Sequence, residues 1–234
     1  MKWDHNIVSP LEWSSPISNR DAKQEVAERI ASKVNDGDVI GFGSGSTSFL
    51  AIHAIAATLE RKRIGCTAIP TSLEVALTCS ALGLRTASLM EARPDWVFDG
   101  ADEVDPNGDL IKGRGGAMFR EKLLIDSSPK AYILIDHSKL VDFLGQKFHV
   151  PIEVYPAAAN LVTQKLEDLG ATEIVLRLGV KKDGPVITEN GNVIIDVKFS
   201  EIRPDYERRV KGITGVIESG LFKGRRLETI VSSA

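Results

Sequence analysis

Residues 95–124, DWVFDGADEVDPNGDLIKGRGGAMFREKLL, run from the end of an apolar strand through a charged, glycine-rich stretch into a helix. A strand feeding a helix is half of a βαβ unit, so this passage sets the α/β reading of the chain. Asp95–Phe98 reads as the end of a buried strand and the residues from Gly116 onward as a helix. A turn between them needs only a few Gly, Asn or Asp residues, and Asp105-Pro-Asn-Gly108 supplies one. Asp99, Asp102, Lys112 and Gly113-Arg-Gly-Gly116 are surplus to folding and mark a candidate site. In a helix, residues three and four apart share a face, which surrounds Glu121 with Ala117, Met118, Leu124 and Ile125. A carboxylate on that apolar face loses solvation unless a partner charge intervenes. Two readings fit it: a functional base, or a rim Glu that snorkels to water or pairs with a lysine.

Outward from this passage, strands and helices alternate through the first two thirds of the chain. Helical spacing of Val26, Ala27, Ile30 and Val34 predicts a helix within 18–35. Strands are expected at Val39–Phe42, Gly65–Pro70, Leu84–Leu89 and Ala131–Ile135, and helices at Thr47–Arg63, Ser72–Leu82 and 116–126. This order implies a Rossmann-like parallel sheet with helices on both faces, which binds ligands at the carboxyl ends of its strands. After residue 148 the pattern changes to an apolar strand (149–154), a helix (Ala157–Leu169), strands at Glu173–Leu178, Val186–Thr188 and Val193–Val197, and a helix at Tyr206–Val210. The expected organisation is an α/β domain of residues 1–148 and 215–234 with a smaller α+β domain, 149–214, inserted in it. Gly215–Phe222 and Leu227–Val231 are expected to complete the first domain's sheet.

Composition narrows the function. With 234 residues, 43% of them hydrophobic and 26% charged, the chain can bury a large core. A net charge of −3 and the lack of any Lys/Arg-rich run give no support to a nucleic-acid or anionic-membrane surface. No apolar run approaches a membrane span. The opening MKWDHNIVSPLEWSSP has charge and two prolines where a signal peptide needs an apolar core, so a cytoplasmic location is expected. Cys66 and Cys79 lack CxxC spacing and are expected to be small buried residues. The scattered His5, His53, His137 and His149 have no ligand spacing, so a metal is not expected.

A second motif, Gly41-Phe-Gly43-Ser-Gly45-Ser-Thr47, lies between a strand and a helix. It lacks the last glycine of a dinucleotide fingerprint and the lysine of a P-loop. What remains is a set of backbone N–H groups and hydroxyls at a helix start, which suits one phosphate or, equally, a tight turn with a Ser/Thr cap. Lys23 is in register with its helix's apolar stripe, so it either reaches along the sheet or snorkels outward. Lys139 follows the strand at 131–135, as a ligand contact or as a solvated loop lysine.

The blocks GFGSGST (41–47), TSLEVALTCSALGL (71–84), DGADEVDPNGDLIKGRGGAMFREKLL (99–124), DHSKLVDFLG (136–145), PIEVYP (151–156), ITENGNVIIDVKF (187–199) and GVIESGLF (215–222) together resemble the type A ribose-5-phosphate isomerase family, in order from about residue 20 to the end. The resemblance implies a two-domain α/β fold and interconversion of ribose 5-phosphate and ribulose 5-phosphate, a step of the pentose phosphate pathway, without metal or cofactor. By motif, Glu121 takes the place of the catalytic base, Asp99 and Asp102 of the two aspartates of DGADE, and Lys112 of the lysine opening KGxGG. Ser44, Gly45, Ser46 and Thr47 occupy the first substrate loop and Gly113, Arg114 and Gly115 the second, with Lys23 and Lys139 as further substrate contacts. Arg114 stands where many members have Gly, and His137 where an acid is common. Glu103 and Asp105 are left with capping and turn roles, and residues 1–17 with none. The resemblance and the small second domain suggest a homodimer or homotetramer.

Two rivals stand beside this reading. A sugar-phosphate sensor of the same fold would need a DNA-reading module, for which the 17 residues before the first helix are too few, and it has no use for a buried base. An isomerase of another aldose phosphate would use the same base and phosphate grip.

Overall fold

The computed structural model describes residues 12, 13 and 15–233. The expectations for the opening residues and His5 fall largely outside them. In chain order the elements are helix α1 (Arg20–Ala31), strand β1 (Val39–Phe42), α2 (Ser46–Lys62), β2 (Thr67–Pro70), α3 (Leu73–Ala81), β3 (Arg85–Thr86) and β4 (Trp96–Gly100). Then come β5 (Glu103–Val104), β6 (Leu110–Ile111), α4 (Met118–Ser127), β7 (Ala131–Ile135), β8 (Val150–Val154), α5 (Ala159–Asp168) and β9 (Ala171–Leu176). The chain closes with β10 (Val193–Phe199), α6 (Tyr206–Lys211), β11 (Val216–Ser219), β12 (Leu221–Phe222) and β13 (Leu227–Val231).

The described residues divide into two compact units. The first holds those up to Gly100, Leu123–Ser138 and Arg226 onward; the second holds Ala101–Lys122 and Lys139–Arg225. These units change over at other points than the domain limits expected at 148 and 214. The reason lies in strand pairing, which apolar patterns alone do not disclose.

In the first unit six strands form one sheet in the order β13-β7-β4-β1-β2-β3, with every pair parallel. The inner strands β1, β4 and β7 are short, largely buried apolar runs, as expected of a sheet flanked by helices, while the edge strand β3 is the exposed pair Arg85–Thr86. From β1 the chain steps outward to β2 and β3, then returns to place β4 on the other side of β1. The adjacent carboxyl ends of β1 and β4 are therefore the sheet's switch point, where α/β folds hold ligands. Phe42, Phe98, Ile40, Ile52, Ile55 and Leu134 pack its core. Ser72 caps α3 by accepting the Val75 N–H at 3.2 Å. Cys79 is buried and Cys66 half-buried; burial pushes their thiols up to about 12 and about 11.

In the second unit β8, β9, β10 and β11 form an antiparallel sheet in the order β11-β8-β10-β9, and β12-β6-β5 form a smaller one. Gly215–Phe222 was expected in the parallel sheet; instead Val216 pairs with Val154 of β8, and Leu221 with Ile111 of β6. Of the two closing segments, Leu227–Val231 joins the parallel sheet, beside β7. Val186–Thr188 forms no strand and contributes a single bridge, Ile187 to Val193. The passage after Asp99 is more than a loop, because Glu103–Val104 and Leu110–Ile111 form a hairpin with Leu110 and Ile111 fully buried. Its turn is the expected one, with Asp105 accepting the N–H groups of Asn107 and Asp109 at 2.9 Å.

Glu103 does more than cap. Its fully buried carboxylate accepts N–H groups from Gly145, Lys147 and Phe148, each at 2.6 Å, which ties the hairpin to the segment entering β8. Removing such an acceptor costs about 1–3 kcal/mol for each buried donor stranded. Glu103→Ala should therefore lower unfolding free energy in a urea titration by about 3 kcal/mol or more. A loss below about 1 kcal/mol would show that these bonds do not anchor the hairpin.

Candidate active site

The parallel register aligns Phe42 with Phe98, so the residues that follow, Gly43 and Asp99, come side by side at the switch point. The Gly43 N–H donates to the Phe98 carbonyl at 2.8 Å. A Cβ at position 43 would lie 2.3 Å from the Asp99 carboxyl carbon, so the backbone must be bare there for that carboxyl to occupy its place. Asp99 is 1% exposed; its Oδ1 accepts the Gly100 N–H at 2.7 Å and faces the Ser48 hydroxyl at 3.5 Å.

Gly45, at φ 90°, turns the chain from β1 into α2, and its carbonyl accepts the Phe49 N–H at 2.8 Å. The first N–H groups of a helix have no intrahelical partner and carry the positive end of its dipole, which places Ser46 and Thr47 at an anion-favouring terminus. Lys23 is brought to the same place. Only 4% exposed, it donates from Nζ to the Ser46 hydroxyl at 3.1 Å and to Ser18 at 3.3 Å. Of the two readings open for Lys23, reaching inward is the one observed.

In the second unit Lys112 follows β6, its backbone N–H held by the Gly220 carbonyl at 2.9 Å. Its Nζ lies 3.3 Å from Glu121 Oε2, and the two side chains are 3% and 4% exposed. The apolar face expected around Glu121 is present, with Met118, Leu124 and Ile125 buried on the same helix, and so is a partner charge. Between the pair the loop turns at Gly113, φ 103°, where a side chain would be strained and its Cβ would meet Met118 Cε at 2.8 Å. The Arg114 side chain is exposed, while its backbone N–H donates to Asp102 Oδ2 at 3.1 Å. Asp102 feels the whole group. Burial drives its carboxyl above the usual aspartate range, outweighing the opposing pull of Lys112, the Arg114 N–H and Lys139, while Glu121 adds to the rise. Lys139 is half-buried, with Nζ 5.4 Å from the Phe148 ring centroid.

Within each unit the expected residues therefore gather: Lys23 with Ser46 and the start of α2, and Asp102, Lys112, Glu121 and Lys139 around the glycine loop. Reading the chain named Gly43 only as part of its motif, with no role of its own, and did not single out Ser48, Arg177 or Asp196. A glycine ending a strand does signal close backbone approach, so Gly43 was within reach. One Arg after a strand carries no such mark. Among the described residues no helix is long and apolar enough to cross a membrane.

Residues 67–234 match the family model of ribose 5-phosphate isomerase A, also called phosphoriboisomerase A. The ribose-5-phosphate isomerase A of Thermosynechococcus vestitus is 42% identical over 205 residues, covering 86% of this chain and 86% of the relative. That of Thermococcus kodakarensis is 43% identical over 204 residues, covering 86% and 89%. The solved structure of ribose 5-phosphate isomerase A from Methanocaldococcus jannaschii gives a TM-score of 0.89 at 39% identity, covering 92% of this chain and 96% of that one. A D-ribose-5-phosphate isomerase in complex with phospho-erythronic acid gives 0.86 at 41%, covering 91% and 94%. Fold and relatives together define an aldose–ketose isomerase. The chain belongs to the ribose 5-phosphate isomerase A family.

The raised Asp102 value fixes the sign of a pH effect. An acid whose folded value lies above its unfolded one contributes stability that is present at low pH and lost as pH rises through the folded value. Asp102→Asn removes that titration. Thermal or urea unfolding from pH 4 upward should show the wild type losing stability relative to the variant. A difference that is constant with pH, or that shifts in favour of the wild type as pH rises, would contradict the burial-driven rise.

Proposed function

We propose that Glu121 is the base that carries a proton between C2 and C1 as ribose 5-phosphate and ribulose 5-phosphate interconvert, the reaction of this family. The observation that carries the proposal is the 3.3 Å approach of Lys112 Nζ to Glu121 Oε2 in surroundings almost closed to water. Moving hydrogen between neighbouring carbons of an aldose requires a base that takes the proton from carbon, passes through an enediolate, and returns it next door. A single carboxylate performs both transfers. The oxyanion that develops needs donors already in place; we assign this to Lys112 and the backbone N–H groups of Gly113, Arg114 and Gly115, with that of Arg114 shared with Asp102 Oδ2. Near-complete burial supports the assignment, since fixed charges act more strongly away from water.

Asp99 is assigned to proton exchange with the ring oxygen and hydroxyl during ring opening. Asp102 is assigned to orienting Lys112 and the loop, a role supported by its bond to the Arg114 N–H. Ser46, Thr47, Lys23 and Lys139 are assigned to the phosphate end, where binding energy remote from the reacting carbons positions them, and Ser44 and Gly45 to the remainder of the first substrate loop. The Lys23–Ser46 contact at the α2 N-terminus supports this grip.

An assay of purified protein against ribose 5-phosphate and other aldose phosphates tests the reading. The wild type should give its highest kcat/KM with ribose 5-phosphate, and Glu121→Gln should lose about 10³-fold in kcat while still binding the sugar phosphate. Near-normal turnover by the variant would remove Glu121 as the base, and a higher kcat/KM with another aldose phosphate would reassign the substrate. We further propose a homodimer or homotetramer, supported by Val175, Leu176, Leu178, Val180 and Ile187, which leave an apolar surface exposed at and beyond the edge strand β9. Sedimentation equilibrium should return two or four chain masses; a monomer at micromolar concentration would refute it.

A further inference from the structure

We propose that Arg177, braced by Asp196, is a positioning residue that aims the backbone N–H groups of Arg114 and Gly115 toward the developing oxyanion; the inference rests on the functional reading above and deepens it. Arg177 follows β9, with its own backbone held on both sides. Its N–H donates to the Ile194 carbonyl and its carbonyl accepts the Val186 N–H, each at 2.9 Å. The guanidinium then works in two directions. Nε donates to Asp196 Oδ2 at 2.7 Å and Nη2 donates to Oδ1, a two-pronged pairing that fixes the plane of the group. Nη1 donates to two successive loop carbonyls, Gly113 at 3.1 Å and Arg114 at 2.7 Å.

Holding those two oxygens fixes more than two carbonyls. A trans peptide is planar, with its C=O and N–H pointing in opposite directions. Drawing the Gly113 and Arg114 carbonyls onto one guanidinium therefore turns the N–H groups of Arg114 and Gly115 away from it. The first is seen on that far side, donating to Asp102 Oδ2 at 3.1 Å. The second, from Gly115, is turned away from the guanidinium in the same way. Successive N–H groups so directed form an anion-favouring concavity, and the positive charge behind them polarises both peptides toward it. Gly113 makes the necessary turn at φ 103°, which the Gly116 N–H closes on the Gly113 carbonyl at 3.0 Å. Arg177 adds a second donor to that carbonyl and holds the Arg114 carbonyl beside it. A lysine there has one ammonium point and no planar fork with which to meet a carboxylate and two carbonyls together.

Donors aimed at charge that exists only in the enediolate act on kcat rather than on ground-state binding. Arg177→Met should lower kcat about 10²-fold, within the range seen when an oxyanion donor is lost, with KM for ribose 5-phosphate within about threefold of wild type. Arg177→Lys should recover little of this, and Asp196→Asn, which keeps the shape but removes the bracing charge, should lose about 10-fold in kcat at unchanged KM. Phospho-erythronic acid, bound by a solved relative, is one carbon shorter than ribose 5-phosphate, so its carboxylate carbon stands at C2 and its charged oxygens resemble the enediolate there. Its inhibition constant should rise in step with the loss in kcat/KM, while inhibition by inorganic phosphate stays unchanged.

Circular dichroism and the melting temperature identify any variant that fails to fold, in which case Asp196→Asn decides. Folded variants whose kcat and phospho-erythronate inhibition stay within about threefold of wild type would overturn the proposal. So would a rise in KM as large as the fall in kcat, which marks loss of ordinary binding. Wild-type turnover with an inactive Glu121→Gln leaves the underlying reading intact whatever the Arg177 variants do, whereas an inactive wild type would remove that reading itself.

Discussion

The 3.3 Å approach of Lys112 to Glu121, with both side chains less than 5% exposed, is the constraint around which the second unit is organised. Desolvating two charges costs several kcal/mol each, and their attraction offsets this only when the geometry is fixed and the neighbouring polar groups are satisfied. The backbone around the pair is held accordingly. Gly220 takes the Lys112 N–H, and Ala117 takes that of Glu121. The neighbouring Lys122 is fully engaged elsewhere, donating to Glu218 at 2.8 Å and to the carbonyls of Ser219 and Leu221 at 2.9 and 2.8 Å. Two adjacent helix residues thus carry buried charges with separate partners. The ionic contact of Glu121 is with Lys112, and Lys122 is committed to the strands that follow α6.

The same device recurs through this unit, where buried or half-buried carboxylates hold irregular segments, through backbone amides or through side chains. Glu103 gathers three amides from 145–148. Glu153, fully buried on β8, takes Thr188, Asn190 and Asn192 onto one oxygen and closes the turn before β10. That turn in turn receives Arg120 of α4 through Glu189 and Asn190. Asp196 sets Arg177 against the glycine loop. Charge-assisted hydrogen bonds are stronger and more directional than apolar contacts. They hold loops in register where a catalytic geometry tolerates little play. In the first unit the corresponding control is steric: the bare backbone at Gly43 admits the Asp99 carboxyl.

Much of this was legible along the chain. The inner parallel strands β1, β4 and β7 were legible because each carries an apolar run bounded by turn residues. The helices were found from their 3.6-residue spacing, with limits displaced by a few residues where ends fray. Glu121 stood out because a carboxylate amid Met118, Leu124 and Ile125 breaks a local rule, and such breaks concentrate at sites. The β5–β6 hairpin was missed because its strands are two residues long, too short for alternation to register. Gly215–Phe222 was assigned to the wrong sheet because an apolar strand advertises its burial and not its neighbour.

What the amino-acid sequence determined by itself was local and periodic: which segments are strands and helices, which carboxylate is set on an apolar face, and, through seven ordered motifs, the family. Which strands pair, where the two units change over, and how Arg177 and Asp196 come to hold residues 113 and 114 were decided only by the tertiary structure. Arg177 lies 63 and 64 residues from its two carbonyl partners. A contact over that separation leaves no periodic trace in the chain, because it depends on sheet register, and register is set by the packed core as a whole.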